Sequence, residues 1–287
     1  MRVRRYEDAR SLLSDCAAFL LQREAENNLI LGLLAGVAAR TVAMDGPPYL
    51  AAVLAGEGAV LVGLMTPPHN LVLSHCALSD ALRLLAEDAL KFSPVPPGVL
   101  ARKETARDFC AIWRDLTGTG AHRSMAERIY ELTAVGTVRG VAGAMRAACP
   151  NDRELLVRWT TAFMEEAGTV VGDARLAAQR SVESRLAAGP DAGICLWEDK
   201  GPVSLAGFSG PTATGIRVGP VYTPPSLRRH GYASALVAAL SKMLLSAGRE
   251  RCFLYTDLAN PTSNKIYQEI GYVPVCDADQ YAFGDEA

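Results

Sequence analysis

The sequence has no long apolar run. Its most apolar stretch, Leu29 to Ala39, falls short of the roughly 20 residues that a bilayer demands. It has almost no net charge: 29 basic against 31 acidic residues leave −2, so no global basic field recommends nucleic acid or an anionic membrane. Cysteines are scattered, seven of them at 16, 76, 110, 149, 195, 252 and 276, and none forms a C-x-x-C pair. An odd, dispersed set argues against a disulfide framework and against structural zinc. The histidines add nothing to that: His69, His75 and His122 have no histidine or carboxylate four residues away, and no metal is expected. Met1-Arg2-Val3-Arg4-Arg5 has the charge of a signal-peptide start, but Glu7, Asp8, Arg10 and Asp15 put charge where such a leader needs an apolar stretch. The expectation is a soluble cytoplasmic protein, monomer or homodimer, with neither nucleic acid nor membrane as partner.

What is present is enough chain for one large domain or two compact ones: 287 residues. Leu12, Leu13, Phe19 and Leu20, then Leu29, Leu33 and Val37, fall near helical spacing, with Asn27-Asn28 as break or cap between two helices. Short strand-like runs come next at 49–54, 58–65 and 70–73, then helices from Ser79 to about Lys91 and from Thr105 to Leu116. Residues 98–100 and 125–132 read as extended, and 133–140 as a connector. The order then recurs. A strand near 141–147 leads to a helix from Asn151 or Asp152 to about Ala167, with Asn151 as a good N-cap. A helix over 174–187 stops at Gly189-Pro190, before strands at 193–198, 203–210 and 215–223. A helix runs to Gly248, then a strand at 252–257, a helix at 262–270, and two strands at 272–275 and 280–283. The fold class is α/β (α+β), a mixed central sheet flanked by helices. The domains are expected at 1–135 and 136–287.

Chemistry concentrates in the second half. Arg228-Arg229-His230-Gly231-Tyr232-Ala233-Ser234 is a basic turn opening straight into an alanine-rich helix. Such a turn aims free backbone N–H groups and the positive helix end at one point, as a phosphate cradle does. Taken alone it is equally an ordinary solvated loop. Before it, Val221-Tyr222-Thr223 ends against Pro224-Pro225, which cannot donate to a neighbouring strand. That leaves main-chain groups for an amide-bearing ligand, or is simply a strand end. After it, Asn260-Pro261 starts a turn, Thr262 or Ser263 can cap the next helix, and Asn264 and Tyr267 share a helix face. The Tyr267 phenol is placed either to protonate a leaving group or to pack in the core.

Together these pieces resemble the GNAT superfamily of acyl-CoA-dependent N-acyltransferases. Arg228-x-x-Gly231-x-Ala233 is similar to its [QR]-x-x-G-x-[GA] pyrophosphate motif, with Ala233 in place of the commoner second glycine. Thr223, eight residues before Gly231, falls where the cofactor-binding strand of the superfamily ends. Asn260, Asn264, Tyr267 and Gly271-Tyr272 match the downstream pattern in order and spacing. Met145-Arg146-Ala147, Asp152, Leu155-Leu156, Trp159 and Phe163 resemble the opening strand and helix, so the likeness covers about 140–287. In the first half the corresponding turn is Ser74-His75-Cys76-Ala77-Leu78-Ser79, with neither Gly nor Arg, which implies a degenerate GNAT-like half without cofactor.

The resemblance implies direct transfer of an acetyl group from acetyl-CoA to a small-molecule or protein amine in a ternary complex, without metal. Backbone N–H groups of 229–234 would hold the pyrophosphate and the main chain of 221–223 the pantetheine. The Val221 N–H would polarise the thioester carbonyl, and Tyr267 would act as general acid. The base stays open among Glu183, Glu198, Asp257 and a water chain. Cys252 and Cys276 are read as small apolar packing residues, Trp159 and Trp197 as core or cleft wall. A non-catalytic acyl-CoA-binding or regulatory module is the alternative. A nucleotide-binding protein is disfavoured because G-x-x-x-x-G-K-[ST] is missing.

Overall fold

The computed structural model describes residues 1–168, 172–187 and 189–284. The chain divides into two compact units: 1–129 with 256–259 and 275–287, and 130–255 with 260–274. Residues 285–287 lie outside the described set.

In the first unit, β1 (Arg2–Arg5) leads to α1 (Ala9–Leu21) and α2 (Asn28–Ala38), then β2 (Tyr49–Ala55), β3 (Gly58–Met65) and β4 (Leu71–Leu73). After these come α3 (Ser79–Ala89), β5 (Gly98–Arg102), α4 (Lys103–Thr117) and most of β6 (Ala121–Leu132). The basic start that resembles a leader is a strand, paired antiparallel with β2 from Arg2 opposite Leu54 to Arg5 opposite Ala51. Alternation sets the two faces of β2. Leu50, Ala52 and Leu54 pack with α1 and α2 residues such as Leu12, Leu20 and Leu34, whereas Tyr49, Ala51 and Val53 pack with Leu85 and Phe109 of α3 and α4. Asp8 caps α1 by accepting from the N–H groups of Arg10 and Ser11. Asn27 occupies the N-cap of α2, but its Nδ2 donates instead to Leu20 O at 2.8 Å, tying the two helices together.

The second unit repeats the order. It comprises β7 (Ala144–Ala147), α5 (Arg153–Glu166), α6 (Ala174–Ala187), β8 (Gly193–Glu198), β9 (Pro202–Pro211), β10 (Gly215–Tyr222), α7 (Tyr232–Ser246), β11 (Arg251–Asp257) and α8 (Pro261–Ile270). β7, β8, β9 and β10 are antiparallel neighbours, and β11 joins β10 in parallel. Ile194, Leu196 and Leu205 face Leu156, Val157, Ala178 and Val182 of α5 and α6. Cys195, Trp197, Ile216 and Val218 face Leu236, Leu240 and Leu244 of α7 on the opposite side. The mixed sheet flanked by helices is thus present in each unit.

Three local expectations are corrected. Asn151 does not cap α5: it lies inside a 3-10 turn over Pro150–Asp152, and Asp152 Oδ2 closes that turn by accepting from Cys149 N–H at 2.9 Å. Neither Thr262 nor Ser263 caps α8; Asn260 does, accepting from Ser263 N–H at 3.0 Å. The two closing strands are one, β12 (Val273–Phe283), which pairs antiparallel with β5 of the first unit from Ala278 opposite Arg102 to Ala282 opposite Gly98.

Candidate active site

The residues singled out for the cofactor, Tyr267, Glu183 and Glu198 lie in the second unit, and Asp257 lies in the first. Their frame is the β10–β11 pair. Ladder partners run from Gly215 opposite Arg251 to Arg217 opposite Phe253, and no further among the described residues. β10 stays paired with β9 as far as Tyr222 opposite Leu205, across an irregularity between Val218 and Val221. A bulge at this point bends the strand and re-aims its main chain. The edge released from pairing is therefore the one toward β11, not the strand end before Pro224 as the prolines suggest.

Main-chain carbonyls at that end are already engaged. Ser204 Oγ donates to Tyr222 O at 3.1 Å and lies 2.8 Å from Thr223 Oγ1, and Arg228 Nε donates to Thr223 O at 2.8 Å. Arg228 also reaches Glu166 at 2.6 Å and stacks its guanidinium over the Tyr222 ring at 5.7 Å, while the Tyr222 hydroxyl donates to Glu166 at 3.3 Å. Arg228 is a strut between the turn, β10 and the end of α5. Its charge is spent on Glu166, a contact that sequence spacing gives no hint of.

The turn itself is a left-handed step into a helix. Arg229 has φ +67 and Gly231, the N-cap of α7, φ +84. An L-residue at Gly231 is strained, and its Cβ would meet Val141 Cγ1 at 3.0 Å. No side chain caps α7. Its first intrahelical bond is Ala235 N–H to Gly231 O, and among the described residues the N–H groups of 229–234 have no protein acceptor. Uncapped donors in a row are what an anion needs. Around them, Arg229 is exposed, and Ala233 and Ser234 are half-buried. His230 donates from Nδ1 to Leu227 O at 3.2 Å and stacks on Tyr232, whose hydroxyl donates to Asp199 at 2.8 Å. Both rings have bonds of their own.

Downstream, α8 is fixed by its asparagines. Asn264 Nδ2 donates to Asn260 O at 2.8 Å, and its Oδ1 accepts from the Tyr130 hydroxyl at 3.1 Å; Gln268 Nε2 donates to the same hydroxyl at 3.1 Å. Tyr130, missed by sequence reasoning, anchors the helix face one turn from Tyr267. Tyr267 is 9% exposed, with its ring 6.5 Å from Tyr130 and 6.0 Å from Tyr272. Among the described residues its hydroxyl makes no hydrogen bond, and burial pushes its pKa up to about 12. A buried phenol held in its acid form, with its proton uncommitted, is a competent donor to a departing anion.

The candidate bases are partnered. Glu183 forms an ion pair with Arg153, and Glu198 binds Arg146 at 2.8 Å. Asp257, in the first unit, accepts from Ala259 N–H at 2.8 Å. Burial pushes the Cys252 and Cys276 thiols up to about 12, which suits packing and not nucleophilic attack. Trp197 donates to Ala142 O at 2.8 Å, and Trp159 lies 6.4 Å from the Tyr222 ring. Among the described residues no cluster of three or more His, Cys, Asp or Glu is gathered for a metal, and no helix is long and apolar enough to cross a membrane.

The equivalent place in the first unit is built differently. Ser74 Oγ accepts from Val62 N–H at 2.9 Å, and Thr105 Oγ1 of α4 accepts from Cys76 N–H at 3.3 Å and donates to Cys76 O at 3.2 Å. A buried threonine thereby bridges the exit of β4 to α4, and uses the Cys76 main-chain donor.

Residues 210–281 match the model of a family described as FR47-like protein. No curated protein matches the chain in sequence. Among solved structures the chain is similar to a protein from Drosophila, with TM-score 0.69, 10% identity, and 98% of this chain and 97% of that one covered. It is also similar to a GCN5-related N-acetyltransferase from Sphaerobacter thermophilus (TM-score 0.58, 15% identity, 99% and 97% covered). A third is a tandem GNAT protein from the clavulanic acid biosynthesis pathway (TM-score 0.58, 11% identity, 100% and 99% covered). At these identities the likeness is one of fold. The chain has the GNAT fold, and one of these neighbours is a tandem of it over nearly the whole length.

Proposed function

We propose that the second unit transfers an acetyl group from acetyl-CoA directly to an amine within a ternary complex, and that each chain uses one acetyl-CoA. The observation that carries this reading is the strand pair that parts after Arg217 and Phe253 just before an uncapped helix. The released edge of β10 offers main-chain groups to an amide-bearing arm, and the N–H groups of 229–234 offer six donors to a pyrophosphate. The co-substrate supplies an activated acyl group as a thioester. Arg228 fixes the turn through Glu166 and Thr223, so the donors are aligned before the ligand arrives. Gly231 gives the turn its left-handed step. Asn260 and Asn264 position α8, and through it Tyr267.

In this reading the Val221 N–H polarises the thioester carbonyl as negative charge builds on its oxygen. The amine attacks the carbonyl carbon, the C–S bond breaks, and Tyr267 gives its proton to the sulfur. The amine sheds its own proton to solvent, because Glu183 and Glu198 are already ion-paired. The protein acts in the cytoplasm as a monomer or homodimer, on a small-molecule or protein amine.

The test is release of free CoA thiol over an amine panel, paired with calorimetric acetyl-CoA binding. Wild type is expected to turn over and Tyr267→Phe to lose 10²–10⁴-fold in kcat at unchanged acetyl-CoA affinity, on the order expected for a general acid. Equal inertness of both proteins with retained binding would leave a non-catalytic acyl-CoA module in place of an enzyme. No acetyl-CoA binding at all would remove both.

A further inference from the structure

Two arginines meet on the face of the second unit's sheet that carries α5 and α6. Arg217 stands on β10 opposite Ser209 of β9, and Arg185 reaches in from the last turn of α6. Arg185 Nη1 donates to the Ser181 carbonyl at 3.3 Å and to the Ser181 hydroxyl. Its Nη2 donates to Ser209 Oγ at 3.3 Å and to Gly219 O at 3.5 Å. Every one of these acceptors is neutral. Arg185 Nε is sealed from solvent and has no hydrogen-bond partner among the described residues.

The sheet is hollowed to admit these groups. A Cβ on Gly207 would stand 3.3 Å from Arg185 Nε and 3.0 Å from Gly219 O, and one on Gly210 would stand 3.0 Å from Arg217 Nη2. Burial first, and the nearby Arg217 charge second, push the Arg185 pKa down to about 10, so it is still a cation at neutral pH. The group is densely surrounded by protein, yet the residue keeps part of its surface accessible. A buried cation given only neutral acceptors, with a second cation beside it, is costly unless an anion completes it.

The position of this pair fixes what the anion belongs to. Gly219 O, which Arg185 touches, lies in the irregular stretch of β10 two residues before Val221. Two residues of chain span at most about 7 Å, close to one N–H···O bond plus the length of an α-amino acid. We propose that the acceptor is a small amine bearing a carboxylate, whose carboxylate is bound by Arg185 beside Arg217 so that its amino group points to the acyl carbon at Val221. This rests on the acetyl-transfer reading above. The N–H groups of Nη1 and Nη2 already have neutral acceptors and Nε is sealed, so the carboxylate would replace the long Nη2 contacts to Ser209 Oγ and Gly219 O with charge-assisted ones. The Arg185 charge, met only by neutral acceptors, opposes polyamines and lysine-rich peptides as acceptors.

The experiment compares amino acids with their decarboxylated amines and their aminophosphonate analogues, by thiol release and by the thermal shift each gives, in wild type and Arg185→Gln. The expected results are a kcat/KM at least 100-fold higher for the amino acids than for the matched amines, and a carboxylate-dependent rise in Tm. Both should be lost in Arg185→Gln, mainly through KM, at unchanged acetyl-CoA affinity. If Arg185→Gln does not fold, the wild-type comparison decides alone. Decarboxylated amines used as well as the acids, with no Tm shift by carboxylates, would overturn the proposal and leave acetyl transfer standing. Preference for the phosphonates would overturn the carboxylate assignment. A carboxylate-dependent Tm rise without turnover of any amine would instead remove the acetyl-transfer reading and keep the anion site.

Discussion

Gly231 concentrates two demands in one residue: a left-handed backbone and an approach free of side chain beside Val141. Gly231→Ala breaks both at once and is expected to cost about 1–2 kcal/mol for the left-handed L-residue, with the crowding of its Cβ against Val141 added to that, read from urea melts. Gly231→Glu adds a negative charge at the row of donors and is expected to abolish acetyl-CoA binding in calorimetry while the fold survives. Unchanged affinity would move the pyrophosphate elsewhere. Tyr267 carries a pH signature as well. Burial raises its pKa to about 12, so the acid form persists through the range where an ordinary phenol near 10 would ionise. The kcat–pH profile should therefore show no alkaline fall between pH 9 and about 10.5. A limb near 10 that disappears in Tyr267→Phe would contradict the burial assigned to it.

Elements show where sequence reading works and where it stops. The turn before α7 was legible because glycine at a left-handed cap and donors at a helix start are local chemistry within six residues. The strand and helix order was legible for the same reason, from alternation in β2 and helical spacing in α1. Caps were misassigned when two polar residues competed: Asn260 took the role open to Thr262 and Ser263 because Pro261 fits only the first helical position. Asn260→Ala is expected to cost about 1 kcal/mol, with the loss seen in thermal melts. The Arg146 bridge was invisible for another reason, since it joins Asp152 and Glu198 across 46 positions of sequence. Arg146 holds the Asp152 carboxylate well below the usual range. A depressed carboxylate adds stability above its unfolded value near 4, and loses that contribution as pH falls below it. Asp152→Asn should therefore cost about 1–2 kcal/mol at pH 7, allowing for partial exposure of Arg146, and close on wild type only below about pH 2, as pH falls through the lowered folded value. A gap that stays constant with pH would show the ion pair to be energetically idle. The meeting of Arg185 and Arg217 was hidden likewise, because no spacing rule tells which residues of α6 overlie which residues of β10.

At the scale of the whole molecule, two units repeat one element order, and α3 of the first also begins without a side-chain cap, but there the main-chain donors of Cys76 and Leu78 are taken by Thr105 Oγ1 and Cys76 Sγ. Calorimetric titration is expected to give one acetyl-CoA per chain; two would assign a site to the unit in which Thr105 bridges Cys76. The recurrence was legible as an order of elements, but the exchange of segments was not. Residues 256–259 and β12 from Val275 onward come after most of the second unit in sequence yet belong to the first. A fragment ending at 135 lacks the partner of β5 and is expected to aggregate, with solubility recovered when residues 273–284 are fused behind it. A monomeric, cooperatively melting 1–135 fragment would refute this.

The placement of β12 also sets a schedule. During synthesis β5 emerges some 170 residues before the strand that covers its edge, a wait of roughly 10–35 s at common elongation rates. Throughout that interval the edge of Gly98–Arg102 that β12 covers has unpaired N–H and C=O groups, the usual template for mispairing between nascent chains. The unit made first is thus the one completed last, and its yield in a cell depends on whatever shields that edge until the second unit has been made.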